Sequence, residues 1–212
     1  MNAHDPKRIV ADGYDRIAER YSTWTGTELV GPRARYLAIL QEQVPAAAAI
    51  LELDCATGVP VTRALAARYN VTGVDLSPRQ VGLARANVPT VTFIAADMTA
   101  LELPAERFDA VVAFYAITHI PGAEHADLLA AIARWLRPGG LLVATLGAGD
   151  DPGTIEEDWL GTPMFFSSYD TPTNERFLTE AGFEIVSADE VTEDEDGVPV
   201  TFLWVVARKP LA

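Results

Sequence analysis

The stretch Ile50-Leu51-Glu52-Leu53-Asp54-Cys55-Ala56-Thr57-Gly58 decides how the rest of the chain is read. An apolar run carrying one acid gives way to small residues at alternating positions, and a helix-like segment from Val61 to Tyr69 follows at once. That is a strand, a tight turn and a helix. A helix opened by a small-residue turn presents unpaired N–H groups and partial positive charge, where a nucleotide-like ligand sits well. Further on, Val71-Thr72-Gly73-Val74-Asp75 is a second short strand ending in a carboxylate, which can accept two hydrogen bonds from a ribose diol.

Around this centre, strands and helices alternate. Upstream, Pro6 to Tyr21 carries Val10, Tyr14, Ile17, Ala18 and Tyr21 on one helical face, and Arg33 to Val44 reads as a second helix after the Gly31-Pro32 break. Downstream, Ser77 is an N-cap with Pro78 at the first helical position, and that helix runs to about Asn87. Val91–Ala95 is a third strand, and Phe108 to Phe114 is a continuous apolar run of the kind a buried parallel strand needs. Glu124 to Leu136 is an amphipathic helix, with Trp135 assigned to its core face. Arg137-Pro138-Gly139-Gly140 turns it into a strand from Leu141 to Leu146. A last helix, Thr173 to Ala181, precedes strands Phe183–Val191 and Val198–Arg208. Asp194-Glu195-Asp196-Gly197 lies between them as a solvated hairpin tip.

Taken together, Glu52 to Gly58, Val74-Asp75-Leu76-Ser77, Ala96-Asp97-Met98, Phe108 to Val112 and Leu136 to Gly140 resemble, in order and spacing, a class I S-adenosylmethionine-dependent methyltransferase of the small-molecule type. The resemblance covers nearly the whole chain. It implies a Rossmann-like α/β fold: a seven-stranded, mostly parallel sheet with a C-terminal antiparallel hairpin and helices on both faces. It implies S-adenosyl-L-methionine as cofactor, with S-adenosyl-L-homocysteine as product. Carried over position by position, it makes Glu52, Asp54, Ala56, Gly58, Asp75, Leu76, Asp97, Met98 and Phe114 the cofactor site. Asp75 takes the ribose and Asp97 the adenine amine, with Met98 packed on the ring. The segment Gly13 to Tyr21 is similar to the Tyr-Asp-x-x-Ala-x-x-Tyr cap of the family, so Tyr14 and Tyr21 offer their hydroxyls to the methionine carboxylate. As an amphipathic helix the same segment packs on the core.

The loop departs from the family's acidic-x-Gly-x-Gly-x-Gly pattern, since Asp54 and Ala56 stand where two glycines are expected. Asp tolerates left-handed geometry, and a methyl at position 56 costs little where φ is negative, so the turn survives. A carboxylate at 54 favours the methionine ammonium and opposes its carboxylate. A dinucleotide fingerprint requires glycines at positions 54, 56 and 59, and Asp54, Ala56 and Val59 supply none. Cys55 is a small filler, with no His or Lys nearby in sequence to activate it.

Composition narrows the partners. The chain has 212 residues, nearly half of them apolar, enough for one domain with a substantial core. Its formal charge of −14 argues against nucleic acid and anionic membrane surfaces and leaves a small molecule or a protein. A single cysteine fits a reducing compartment, and neither a signal core nor a membrane-spanning run is present, so a cytoplasmic location is expected. No metal site is expected, and oligomeric state is not readable.

The expected organisation is one domain over residues 1–212: a helical cap (1–45), a cofactor-binding core (46–146), a lid loop (147–170), and a C-terminal helix with β-hairpin (171–212). Ligands of such sheets bind beyond the C-terminal strand ends, where Phe114, Tyr115 and His119 fall. His119 and Tyr115 are the candidate catalytic groups. His119 serves as general base, orients the acceptor, or is a structural histidine at the start of the next helix. The lid loop mixes acids with Trp159, Phe166 and Tyr169, taken as substrate contacts that exclude water, or as anchors of the loop. The expected reaction is in-line methyl transfer to a small-molecule acceptor. The rival is a catalytically weak or inactive cofactor-binding protein of the same fold.

Overall fold

The structure, a computed structural model, describes residues 5–211; Met1 to His4 and Ala212 of the expected span lie outside the described residues. In chain order the helices are α1 (Pro6–Thr25), α2 (Gly31–Gln43), α3 (Val61–Ala66), α4 (Pro78–Asn87), α5 (His125–Trp135) and α6 (Thr171–Glu180). The strands are β1 (Ala49–Leu53), β2 (Asn70–Asp75), β3 (Thr92–Ala95), β4 (Phe108–Ala113), β5 (Leu136–Gly147), β6 (Asp151–Trp159), β7 (Thr162–Ser168), β8 (Glu184–Glu195) and β9 (Val198–Arg208).

β1 is central because neither of its faces meets water. Leu51 and Leu53 pack on one side with Leu128, Leu129 and Ile132 of α5 and Leu178 of α6. Ile50 packs on the other with Tyr36, Leu37 and Leu40 of α2 and Leu65 of α3. Double-sided burial is why the parallel strands read as continuous apolar runs rather than alternating ones. The sheet has seven strands in the order β3-β2-β1-β4-β5-β9-β8. β1 to β5 pair in parallel, and β9 runs antiparallel between β5 and β8. The order reverses between β1 and β4, which opens a crevice beyond their C-terminal ends.

The N-caps follow the sequence. Ser77 accepts from the Gln80 N–H at the start of α4, and Asp170 accepts from Thr173 at the start of α6. Residues 147–170 differ from expectation. Instead of an irregular loop they form a two-stranded hairpin, β6–β7, pinned to the body on both sides. A Cβ on Gly13 of α1 would sit 3.1 Å from the backbone oxygen of Pro163, so the bare glycine brings the helix close to β7. A Cβ on Gly147 would overlap Ser168, which brings the end of β5 equally close to the end of β7.

Candidate functional site

The turn after β1 is held from β2. Asp75 is 3% exposed; its Oδ2 accepts from the Ala56 N–H at 2.8 Å and its Oδ1 from the Ser77 N–H at 2.8 Å. Asp54 and Ala56 both adopt left-handed backbone, φ 62° and 48°. The expected negative φ at Ala56 is therefore corrected. The strain, about 1 kcal/mol for an L residue in this region, is offset by the charged hydrogen bond that the Ala56 N–H makes to Asp75. Gly58, also left-handed at φ 77°, turns its bare face to Ala84 of α4 and to Val88 just beyond its end, so its contribution is the turn and the helix contact. Glu52 is 3% exposed, and its Oε2 has no partner among the described residues. Burial pushes its carboxyl up to about 8, with Asp75 adding to the effect.

α1 roofs this turn. Ser77 Oγ donates to Asp15, Arg79 pairs with Glu19, and Lys7 Nζ pairs with Asp97 at 2.8 Å and with Glu124. Asp97 also accepts from the Thr99 N–H at 2.9 Å. Burial raises its pKa, but the hydrogen bonds from Lys7 and Thr99 outweigh that and hold it below the ordinary value. One acceptor position on Oδ2 stays free for an adenine amine. Leu76 packs against the cluster formed by Val10, Tyr14 and Ile17 of α1 with Met164 and Phe165. Met98 does not: it is turned into the core among Ile117, Leu128 and Leu129, which corrects the expected ring contact. A small cavity of about 40 Å³ remains beside the turn, lined by Glu52, Asp54, Ala56, Phe114, Tyr21 and Arg33 among others.

On the other side of Tyr21 and Arg33 lies a cavity of about 700 Å³. Its walls are α1, the 3₁₀ turn Ile117–His119, the β6–β7 hairpin and the far end of the β8–β9 hairpin. Tyr14 Oη stands 2.8 Å from Nε2 of His119, and His119 Nδ1 stands 3.0 Å from the carbonyl oxygen of Phe165 on β7. A carbonyl only accepts, so Nδ1 carries the hydrogen, and Nε2 accepts from the Tyr14 hydroxyl. Burial drops the His119 pKa to about 4, against the raising effect of the Phe165 carbonyl. Burial also raises Tyr14 well above the ordinary phenol value, helped by Tyr21, Asp54 and Asp75. The resemblance gave the Tyr14 hydroxyl to the methionine carboxylate; here it is committed to His119 instead.

The two candidate catalytic residues are not a pair. Tyr115, at φ 59°, gives its hydroxyl to the Glu193 carboxylate at 2.7 Å and lies under the Arg33 guanidinium at 4.3 Å, on a different wall of the cavity. Trp159 and Phe166 do line the cavity. Trp159 packs edge-on to Tyr14 (5.7 Å) and Phe166 lies 4.9 Å from the His119 ring. Tyr169 does not line it; its ring packs on His125 and Phe177 instead, which removes it from the expected substrate contacts. The acidic tip of β8–β9 is more than a solvated turn. Glu195 and Asp196 line the cavity, and Asp196 accepts from the Trp24 indole at 3.1 Å. Arg33, Trp24 and Glu193 were not singled out from the sequence. The position of Arg33 just after Gly31-Pro32 was the one available signal, because a helix start is where chain direction changes.

A family model for a methyltransferase domain matches residues 50–140. That match places a methyltransferase domain at the centre of this chain. Among curated relatives of this chain, the 2-methyl-6-phytyl-1,4-hydroquinone methyltransferase of Synechocystis sp. is 29% identical over 174 residues, covering 80% of this chain and 53% of that protein. The chain spans about half the length of the curated relatives it matches. Among solved structures, the Burkholderia thailandensis 1,6-didemethyltoxoflavin-N1-methyltransferase, with 1,6-didemethyltoxoflavin and S-adenosylhomocysteine bound, superposes with a TM-score of 0.75. It is 22% identical and covers 99% of this chain and 91% of its own. The [4+2]-cyclase SpnF superposes at 0.73 with 19% identity, covering 95% of each chain. At such identities the likeness is one of fold, and the fold hosts more than one chemistry.

The residues around the turn fit S-adenosylmethionine, the cofactor of that domain. Asp75 keeps one acceptor position on each oxygen beyond its two backbone bonds, as a diol requires, and Glu52 has an orphaned carboxylate oxygen beside the turn. Among the described residues no group of His, Cys, Asp or Glu could hold a metal ion, and no helix is long and apolar enough to cross a membrane.

Proposed function

We propose that this protein transfers a methyl group from S-adenosylmethionine to a small-molecule acceptor held in the 700 Å³ cavity. The observation that carries this reading is the contact between Asp75 and the turn, a carboxylate with two free acceptor positions directly beside the loop that follows β1. In this reading Asp75 binds the ribose, Asp97 the adenine amine, Glu52 the methionine ammonium, and Arg33, which reaches both cavities, the methionine carboxylate. Tyr21, Phe114 and Leu76 pack around the bound nucleoside. α1 serves as the cap and β6–β7 as the lid.

The bound cofactor supplies an electrophilic methyl whose departure leaves a neutral sulfide. Little acid catalysis is then needed, and alignment and exclusion of water are the main tasks. Trp159 and Phe166 keep water from the acceptor. The Tyr14 oxygen takes the proton that the acceptor sheds as its new bond to carbon forms, while Tyr14 passes its own hydrogen to Nε2 of His119. A weakly basic His119 suits this role, because the acceptor proton becomes strongly acidic only once the methyl has arrived. Aromatic rings (Trp24, Trp159, Tyr21) beside Glu156, Asp158 and Glu195 favour an acceptor with a flat or apolar body and a positively charged group that anchors at the acidic rim. The single, buried cysteine accords with a reducing, cytoplasmic setting.

Calorimetric titration with S-adenosylmethionine, followed by transfer of labelled methyl to a panel of aromatic amines and phenols, tests the reading. Absence of binding overturns it. The strained turn at Asp54 and Ala56 favours a second reading, a cofactor-binding protein without methyl transfer, which predicts binding heat and no labelled product with any acceptor.

A further inference from the structure

Tyr115 stands just beyond the end of β4 with left-handed backbone, φ 59°. A bulky L side chain takes this conformation at a cost, and the cost is kept where the surroundings fix the side chain for a purpose. Its hydroxyl is not free for an acceptor. It donates to the Glu193 carboxylate, 2.7 Å from Oε1 and 3.0 Å from Oε2. Burial keeps the phenol protonated, opposed by Arg33 and helped by Glu193. What Tyr115 offers the site is the face of its ring.

The Arg33 guanidinium lies over that face, 4.3 Å from the ring centre. No carboxylate forms an ion pair with Arg33 among the described residues. A ring face attracts a cation without offering it a lone pair, so the planar fork keeps its donors for a ligand. A bidentate carboxylate partner would have taken two of them. A long side chain held in place beforehand also loses less rotamer freedom when the ligand arrives.

The ring is tied to the core. Arg33 and Tyr36 are three residues apart on α2 and share a face. Tyr36 stacks on the buried Trp204 of β9 at 4.7 Å, and Trp204 meets the Tyr115 ring edge-on at 5.5 Å. Glu193 of β8 accepts from the Trp204 indole at 3.4 Å as well as from Tyr115. Two contacts therefore set the start of α2 against the sheet: Tyr36 on Trp204, and Arg33 on Tyr115.

We propose that Tyr115 is a positioning residue, whose ring, fixed by β8–β9, holds the Arg33 guanidinium where the two cavities meet and leaves its donors open to the carboxylate of the cofactor's methionine part. The inference rests on the reading of Arg33 as the group that meets that carboxylate. It gives the C-terminal hairpin a part in cofactor binding. It also gives the strained backbone at position 115 a reason, since φ sets the direction in which the ring leaves the chain.

The test is calorimetry of the full chain with S-adenosylhomocysteine, and displacement of that ligand by 5′-methylthioadenosine, which has the nucleoside and the sulfur but no amino-acid part. Tyr115→Gly deletes the ring and suits left-handed backbone. It should weaken S-adenosylhomocysteine roughly three- to tenfold, the range for a cation–ring contact, and leave 5′-methylthioadenosine unchanged. Tyr115→Phe, which keeps the ring, should recover most of the affinity. In an Arg33→Ala background Tyr115→Gly should cost nothing further, because the ring acts through the guanidinium. Melting curves show whether each variant folds, and Tyr115→Asn, also tolerant of this backbone, takes the place of Tyr115→Gly if that variant does not. Four results would each overturn the inference and leave the function standing: wild-type affinity without the ring, an equal loss of both ligands, the same loss in the absence of Arg33, or a Tyr115→Phe variant as weak as Tyr115→Gly. Failure of the wild-type protein to bind S-adenosylhomocysteine would remove the function and the inference together.

Discussion

The Tyr14 hydroxyl and Nε2 of His119 lie 2.8 Å apart, across more than a hundred residues of sequence, and both side chains are buried. Their hydrogen bond joins the cap helix to the turn after β4. The Phe165 carbonyl on the lid strand fixes the tautomer from the other ring nitrogen. α1, the β6–β7 hairpin and the His119 imidazole are therefore one hydrogen-bonded unit.

A unit fails as a whole. Tyr14→Phe and His119→Ala should each lower kcat by roughly 10²- to 10³-fold, within the usual range for a lost proton-transfer group. The double variant should be little worse than either single one. Steady-state kinetics of the three variants, with donor affinity measured separately by calorimetry, decide this. Additive losses would mean that the two residues act independently.

Trp159 and Tyr169 should behave differently although both are lid aromatics. Trp159 touches Tyr14, Tyr21, Trp24 and His119, whereas Tyr169 packs on His125 and Phe177. Trp159→Ala should raise the acceptor KM about tenfold or more by the loss of one apolar wall. Tyr169→Ala should lower the melting temperature and leave KM near the wild-type value.

Arg33 is the cation that both cavities share. Arg33→Ala should weaken S-adenosylmethionine and S-adenosylhomocysteine equally, by about 10- to 100-fold, because both carry the carboxylate it meets. Arg33→Lys should recover only part of the loss, since the planar fork is absent. An unequal effect on the two ligands would assign Arg33 to another partner.

Stability of the ligand-free protein should depend on pH in a definite direction. Glu52, Asp54 and Asp75 all have folded values above their ordinary ones, chiefly through burial, so the folded state holds more protons than the unfolded chain. Their contribution is fully present at low pH and is lost as pH rises through the folded values, near 8 for Glu52. His119 works oppositely: its value falls from 6.5 to about 4, so its contribution is lost as pH falls through that window. The melting temperature should rise from pH 8.5 toward about 6.5 and level off below. Glu52→Gln should flatten the alkaline limb, adding on the order of 2 kcal/mol at pH 8.5. A melting temperature that climbs steadily with pH would contradict these assignments.

Much of the architecture was readable because local patterns carried it. Continuous apolar runs at Ile50 to Leu53 and Phe108 to Phe114 announce parallel strands, Ser77-Pro78 announces a capped helix, and Asp196-Gly197 announces a hairpin turn. The lid was misread as irregular because β6 is mostly exposed and polar, so no alternation marks it as a strand. Met98 and Tyr169 carry the same residue types as ligand contacts, and only packing shows that they face the core and α6.

The sequence by itself determined the succession of strands and helices along most of the chain, the turn after β1 and the carboxylate that ends β2, because hydrophobic period, capping residues and turn chemistry act within a few residues of one another. The tertiary structure alone decided that Tyr14 meets His119, that Arg33 reaches the turn, and that the β8–β9 tip walls the cavity. Those contacts join segments from opposite ends of the chain, and their distances come from how helices and hairpins stack on the sheet, which no local pattern encodes.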